Sequence, residues 1–210
     1  PISLVGSEMC IRDRLLGVSQ TLTIFVGEGV DHILPGGLDH ILFVLALFLG
    51  STTSRSLVIQ ISVFTLAHTI TLGLAATGVI SPPSDIVEPL IALSIALVAI
   101  ENLFFKKPPR WRPIVIFLFG LLHGLGFAGF FGELGLPEGQ FWSALIGFNI
   151  GVEIGQLSVI ILAIAVLSVW RWRNHIEYTD VVYRRFMILP GSLLIGATGS
   201  WWAMERVFLN

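Results

Sequence analysis

The stretch His32-Ile-Leu-Pro-Gly-Gly-Leu-Asp39-His40 places two imidazoles and a carboxylate on either side of a Pro-Gly-Gly break. Proline removes a backbone donor and glycine widens the accessible backbone angles, so groups flanking the break can fold toward one point. His68 and His123 add two imidazoles, each inside a long apolar run. Asn149, Glu153 and Gln156 follow in a run of Ile, Val, Leu and Phe, at the i, i+4, i+7 spacing of a single helical stripe. Imidazole nitrogen with carboxylate and amide oxygen is a donor set for a divalent transition metal, and nickel, cobalt, zinc, iron or manganese would all suit it. Cys10 is the only cysteine and the methionines number three, so neither a thiolate cluster nor a thioether path is available. A lone histidine in an apolar run is more often a hydrogen-bonded packing residue than a ligand. The weight here lies in the combination. The expected metal ligands are His32, Asp39, His40, His68, His123, Asn149 and Glu153, with Glu101, Asn102 and Gln156 as gate or supporting groups.

The elements that carry these residues must be transmembrane helices. Apolar residues make up 54% of the 210 and charged residues 12%, with a mean hydropathy of +0.86, whereas soluble domains hold about 45–50% and 25%. A span needs about 20 apolar residues, and residues 57–78, 86–105, 113–131, 141–170 and 186–208 qualify. The apolar run 38–50 is too short alone. Together with 15–34 it reads as one discontinuous helix broken at Pro35-Gly36-Gly37, an arrangement that membranes accept only where the break is buried in protein or lines a cavity. Alanine at Gly36 and Gly37 would favour helix by about 1 kcal/mol per residue, so the fold is expected to tolerate it. The expected fold class is therefore an all-α integral membrane protein, a compact bundle of about six transmembrane helices with the first one discontinuous. The six tryptophans fall at or near span ends, as an aromatic belt would.

Depth brings the polar residues to a common level. At a rise of about 1.5 Å per residue, His40, His68 and His123 each lie about 15–16 Å from the near end of their spans, around the middle of a core about 30 Å thick. Ionisable groups there cost about 2.5–3.5 kcal/mol each and are functional candidates by default. Gly120 and Gly124 have the small-xxx-small spacing that lets neighbouring helices approach His123 closely. Glu101 lies near a span end, where Lys106 or Arg112 can pair with it, and Glu88 and Glu205 sit near the opposite surface. Lys and Arg populate the loops after spans one, three and five and are absent from residues 79–85 and 132–140. The positive-inside rule makes the basic loops cytoplasmic and sends both termini outward. The chain opens on Pro1. Residues 1–14, including SEMCIRDR, are expected to stand apart as a foreign or non-family segment from a single transmembrane domain, 15–210.

Five segments together resemble the HupE/UreJ family: HILPGGLDHILF from His32, FTLAHTITL from Phe64, VEPLIALSIALVAIENL from Val87, FGLLHGLGFA from Phe119 and FNIGVEIGQ from Phe148. The resemblance covers about residues 29–165. It implies a bundle of six or seven helices, a bacterial cytoplasmic membrane, a secondary permease, and a role in supplying nickel for hydrogenase or urease maturation. Its motif positions are His32, Asp39, His40, His68, Glu101, Asn102, His123, Asn149, Glu153 and Gln156.

The leading expectation is a divalent metal permease, nickel foremost, with membrane lipid and the metal ion as partners and a second copy or a metallochaperone as a protein partner. A net charge of −2 offers nothing to nucleic acid. The alternative is a membrane-embedded zinc hydrolase in which Asp39 or Glu153 is the general base, although no HExxH motif is present. Haem held between His68 and His123, and a metal sensor that does not transport, are further readings. Topology is directly testable in a background with Cys10→Ser. A cysteine at Pro82 is expected to label from outside intact cells and one at Pro108 is not; the reverse pattern overturns the orientation.

Overall fold

A computed structural model describes residues 17–51, 53–127, 139–174 and 179–209. The expected N-terminal segment 1–14 lies outside the described residues. Among the described residues the chain is helical throughout. Helices α1 (Val18–Ile33) and α2 (Leu38–Gly50) meet at a bend of 74°, and α3 (Ser54–Ala76), α4 (Ser84–Phe104), α5 (Arg112–Gly126) and α6 (Phe141–Asn174) follow. The last helix, α7, begins at Asp180–Tyr183, passes through a π-helical turn at Arg184–Ile188 and continues as Leu189–Phe208.

Four helices are long and apolar enough to cross a membrane, and the bent pair α1–α2 passes the same test as one broken span. The expected discontinuous first span is therefore present. Helix α5 is shorter than the expected span 113–131: it runs for 15 residues, and residues 128–131 lie outside the described ones. Large apolar side chains point outward along every helix, among them Leu66, Ile114, Ile161, Leu194 and Met204, each more than half exposed. An apolar belt of this extent belongs in lipid, and the protein is an integral membrane helix bundle. Helix α6 has 34 residues, about 51 Å at 1.5 Å per residue, so its final turns with Arg171 and Arg173 project past the apolar layer. Trp111, Trp142, Trp172 and Trp201 are exposed at or near helix ends.

The helices pack most extensively as α1 on α6, α4 on α7 and α3 on α5, while short α2 contacts α1, α3, α4, α6 and α7. Lipid tails are as apolar as leucine, so close backbone packing rather than the hydrophobic effect must hold such pairs together. Glycine supplies that closeness. Gly147, Gly151 and Gly155 form a stripe on α6 against Leu22, Val26 and Ile33 of α1, and Gly29 of α1 lies on the Phe148 carbonyl. On α5, Gly120 lies against the Phe64 carbonyl, and Gly124 against Thr71 and the carbonyl of His68.

The break between α1 and α2 has its own constraint. Gly37 lies directly under the backbone carbonyl of His32, where a β-carbon has no room, and a β-carbon at Gly36 would meet the carbonyls of Asp31 at 3.2 Å and His32 at 3.8 Å. The expectation that the fold would accept alanine at both positions therefore fails at Gly37, because the obstacle is backbone and cannot turn aside. The same reasoning predicts the behaviour of two other glycines. Gly124→Ala should lower the melting temperature in detergent by several degrees, the counterpart of about 1–3 kcal/mol of overpacking. Gly27→Ala faces open space and should leave the melting temperature unchanged or raise it. Equal effects at the two positions would mean that α3 and α5 are not held at the described distance.

Candidate metal site between the helices

His32 is in the last turn of α1 and His40 in the first turn of α2, so the bend alone sets their rings edge to face with centroids 4.7 Å apart. Helix α3 brings His68 to 6.2 Å from His32 and 5.8 Å from His40. Helix α5 brings His123 to 5.0 Å from His40. His40, His68 and His123 are buried and His32 is half-buried. Phe64 and Phe127 close the group, the latter packed on His32 with centroids 3.8 Å apart.

The two nitrogens of each buried ring are treated differently. Nδ1 of His40 lies 3.1 Å from Oδ1 of Asp39, an atom that also accepts from the His40 backbone N–H at 2.8 Å. Nδ1 of His68 lies 3.1 Å from Oδ1 of Asn149. The amide of Asn149 is oriented by its own Nδ2, which donates to the Leu145 carbonyl at 2.8 Å. Nδ1 of His123 lies 2.8 Å from the Phe119 carbonyl. All three partners present acceptor oxygens, so each Nδ1 must carry the proton, and each Nε2 is then left with a lone pair. Nε2 of His32, His40, His68 and His123 is buried without a hydrogen-bond partner. Buried polar atoms normally find partners, and four orphaned atoms of one kind in one place require a reason.

A metal ion satisfies this pattern. One ligand atom each from His32, His40 and His68 lies within 4.8 Å of the others, so one point is within about 2.8 Å of all three, against about 2.0–2.1 Å for a metal–imidazole bond. A shift of under an ångström closes the difference. Tying Nδ1 to an oxygen acceptor is also how protein ligands are oriented around metals. Haem suits the site less well. His68 and His123 both pack on His40 and Phe64, which take up the space that a porphyrin plane between them would need.

The remaining expected residues fall into three places. Asp39 and Asn149 adjoin the imidazoles through Nδ1, on the side away from the free nitrogens. Gln156 accepts from the Thr65 hydroxyl at 3.0 Å, and the half-buried Glu153 accepts from the Ser62 hydroxyl at 2.6 Å, both on the seam between α3 and α6. Glu101 and Asn102 lie at the other end of α4, beside the basic loops. There Arg112 pairs with Glu101 at 3.1 Å and donates to Oδ1 of Asn102 at 3.2 Å, and Asn102 donates to the Ala46 carbonyl at 2.7 Å. Of the two partners expected for Glu101, Arg112 is the one found. Glu88 and Glu205 are exposed, and Glu88 lies 3.9 Å from Arg206. Sequence reasoning did not single out Thr65, Ser62 or Arg184. Thr65 shares the helical face of His68 at i−3, a signal that was present, while Ser62 at i−6 lies about 120° round the helix and Arg184 reaches the carbonyls of Asn102, Leu103 and Phe105 only through tertiary packing.

No curated protein and no solved structure matches the chain. Its family is nonetheless clear, since residues 8–206 match the family described as HupE / UreJ protein, and with nearly the whole length covered the chain belongs to that family.

Proposed function

We propose that this protein carries a divalent transition-metal ion, nickel foremost, across a bacterial cytoplasmic membrane through the histidine cluster. The family is associated with metal handling. The observation that carries the reading is the set of four buried, unpartnered Nε2 atoms on α1, α2, α3 and α5. In this reading His32, His40 and His68 hold the ion, His123 adjoins them through His40, and Asp39 and Asn149 aim the rings. Imidazole replaces part of the hydration shell of the ion, as a permeation site must. The donor set favours nickel, cobalt, zinc or iron over calcium and magnesium. The basic loops at 105–112 and beyond 170 face the cytoplasm in this proposal, both termini face the periplasm, and a metallochaperone or a second copy at the cytoplasmic face receives the ion.

A zinc hydrolase is less well supported. Its general base would need a carboxylate free to accept a proton from water at the open coordination position. The nearest carboxylate, Asp39, already accepts from His40 with Oδ1, and Glu153 accepts from Ser62, six residues along α3 from His68.

The test is nickel binding to the purified protein combined with nickel flux into sealed proteoliposomes. His40→Ala and His68→Ala should each lower affinity at least about a hundredfold, and the double variant should lose less than the product of the two because either change already breaks the site. Asn149→Ala, which frees the His68 ring, should cost about 10- to 100-fold. Binding should weaken as the medium is made acidic, since a protonated imidazole has no lone pair for a metal. Stoichiometric binding by a folded His40→Ala/His68→Ala variant overturns the proposal.

A further inference from the structure

The seam between α3 and α6 carries a ladder of polar pairs that begins at the histidine site and runs toward the basic end. The first rung is His68 with Asn149, at 3.1 Å. The second is Thr65 with Gln156, at 3.0 Å, and the third Ser62 with Glu153, at 2.6 Å. Along α3 these partners step down by three residues each, about 4.5 Å per step, while on α6 the second and third cross, Glu153 lying between Asn149 and Gln156. Val58 and Leu157, one turn beyond Ser62 and Glu153, line a cavity of about 290 Å³. That cavity also presents Ser51, Thr53 and Ser54, with the exposed Arg171 at its rim.

The seam around α2, α3 and α5 has the opposite character. Phe43, Leu47, Ile61, Phe64 and Ile116 are wholly buried there, and below them stands the guanidinium of Arg112, 3% exposed. An apolar layer offers a cation no donor atoms, and beyond it the Arg112 guanidinium already occupies the Glu101 carboxylate.

The third rung holds more charge than structure requires. Interhelical pairs of hydroxyl and neutral amide, such as Thr65 with Gln156, serve well as links between membrane helices. A glutamine at 153 would accept the same hydrogen bond from Ser62. A carboxylate at membrane depth costs about 2.5–3.5 kcal/mol, and among the described residues no lysine or arginine pairs with Glu153. A metal cation bound there would supply the positive partner that the protein does not.

We propose that Glu153, with the oxygens of Ser62, Thr65 and Gln156, forms a second, oxygen-only station for the divalent cation, reached from His68 on the way to the cavity at the basic end. It rests on the histidine-site reading above. Oxygen donors hold late transition metals more weakly than imidazole does. An ion passing from the imidazoles to this station is therefore bound more loosely before release, as permeation through successive sites demands.

The test uses the full chain with nickel as the probe, measuring binding stoichiometry in detergent and flux in proteoliposomes. Wild type should show one tight and one weak equivalent. Glu153→Gln keeps the hydrogen bond to Ser62 but removes the charge. It should keep the tight equivalent within about threefold, lose the weak one and slow flux at least tenfold, with Glu153→Asp restoring part of the flux. Ser62→Ala, a smaller change to the same station, should weaken only the weak equivalent and slow flux severalfold. Wild-type flux in Glu153→Gln would overturn the proposal, since a purely structural link survives that change. Loss of the tight equivalent in Glu153→Gln, as in His68→Ala, would also overturn it by making Glu153 part of the histidine site. A wild type that binds no nickel removes the histidine-site reading itself, and the second station with it.

Discussion

Everything in the site depends on one backbone contact, Gly37 against the carbonyl of His32. A residue with a β-carbon at 37 would push α2 away from α1, and the ring centroids of His32 and His40 could not meet at 4.7 Å. The other two histidine-bearing helices are tied in by contacts of the same kind. Gly124 of α5 lies on the carbonyl of His68 itself, so the approach that positions His123 also fixes the backbone of its neighbour. Gly147, Gly151 and Gly155 hold α6 on α1 and so bring Asn149 to the far side of the His68 ring. In lipid, where apolar burial does little to favour one helix pairing over another, backbone closeness is the main source of specificity.

The cluster is internally unbalanced by its own hydrogen bonds. Asp39, Asn149 and the Phe119 carbonyl each accept a hydrogen bond from one imidazole Nδ1–H, which leaves Nε2 of His40, His68 and His123 as acceptors without partners, beside the unpartnered Nε2 of His32. No donor among the described residues answers them. Burying an unpaired polar atom in an apolar interior costs on the order of 1–3 kcal/mol, and four of them represent a substantial fraction of the stability of a small domain. Departures of this size from internal consistency are expected where a fold serves a ligand.

At the basic end the polar residues have a different character. Arg112, Glu101 and Asn102 bond to one another, Asn102 reaches the Ala46 carbonyl near the end of α2, and Arg184 caps the last carbonyls of α4. This knot ties α2, α4, α5 and α7 together. The buried atoms left over here are the N–H donors Nε and Nη2 of Arg112, whereas those of the histidine cluster are imidazole nitrogens with lone pairs. The two kinds of buried polarity differ in what the unpartnered atom offers, a proton that repels a cation or a lone pair that binds one.

The chain alone determined the membrane class, the broken first span and the identity of the four imidazoles, because each follows from quantities local in sequence: apolar run length, a Pro-Gly-Gly interruption, and costly ionisable residues inside apolar runs. The common depth of His40, His68 and His123 was also legible, since helical rise converts residue number into height. Height, however, leaves rotation about each helix axis and the choice of neighbours open. Only the tertiary structure separated Asn149, which faces the His68 ring, from Glu153 one turn along, which faces Ser62 instead. Only the structure revealed that Gly37 has no room for alanine, because the turn conformation at the 74° bend, which helix propensity does not specify, sets the carbonyl of His32 against it. Periodicity assigns a residue to a face of its helix; which partner that face meets is decided by close backbone contacts between segments far apart in the chain.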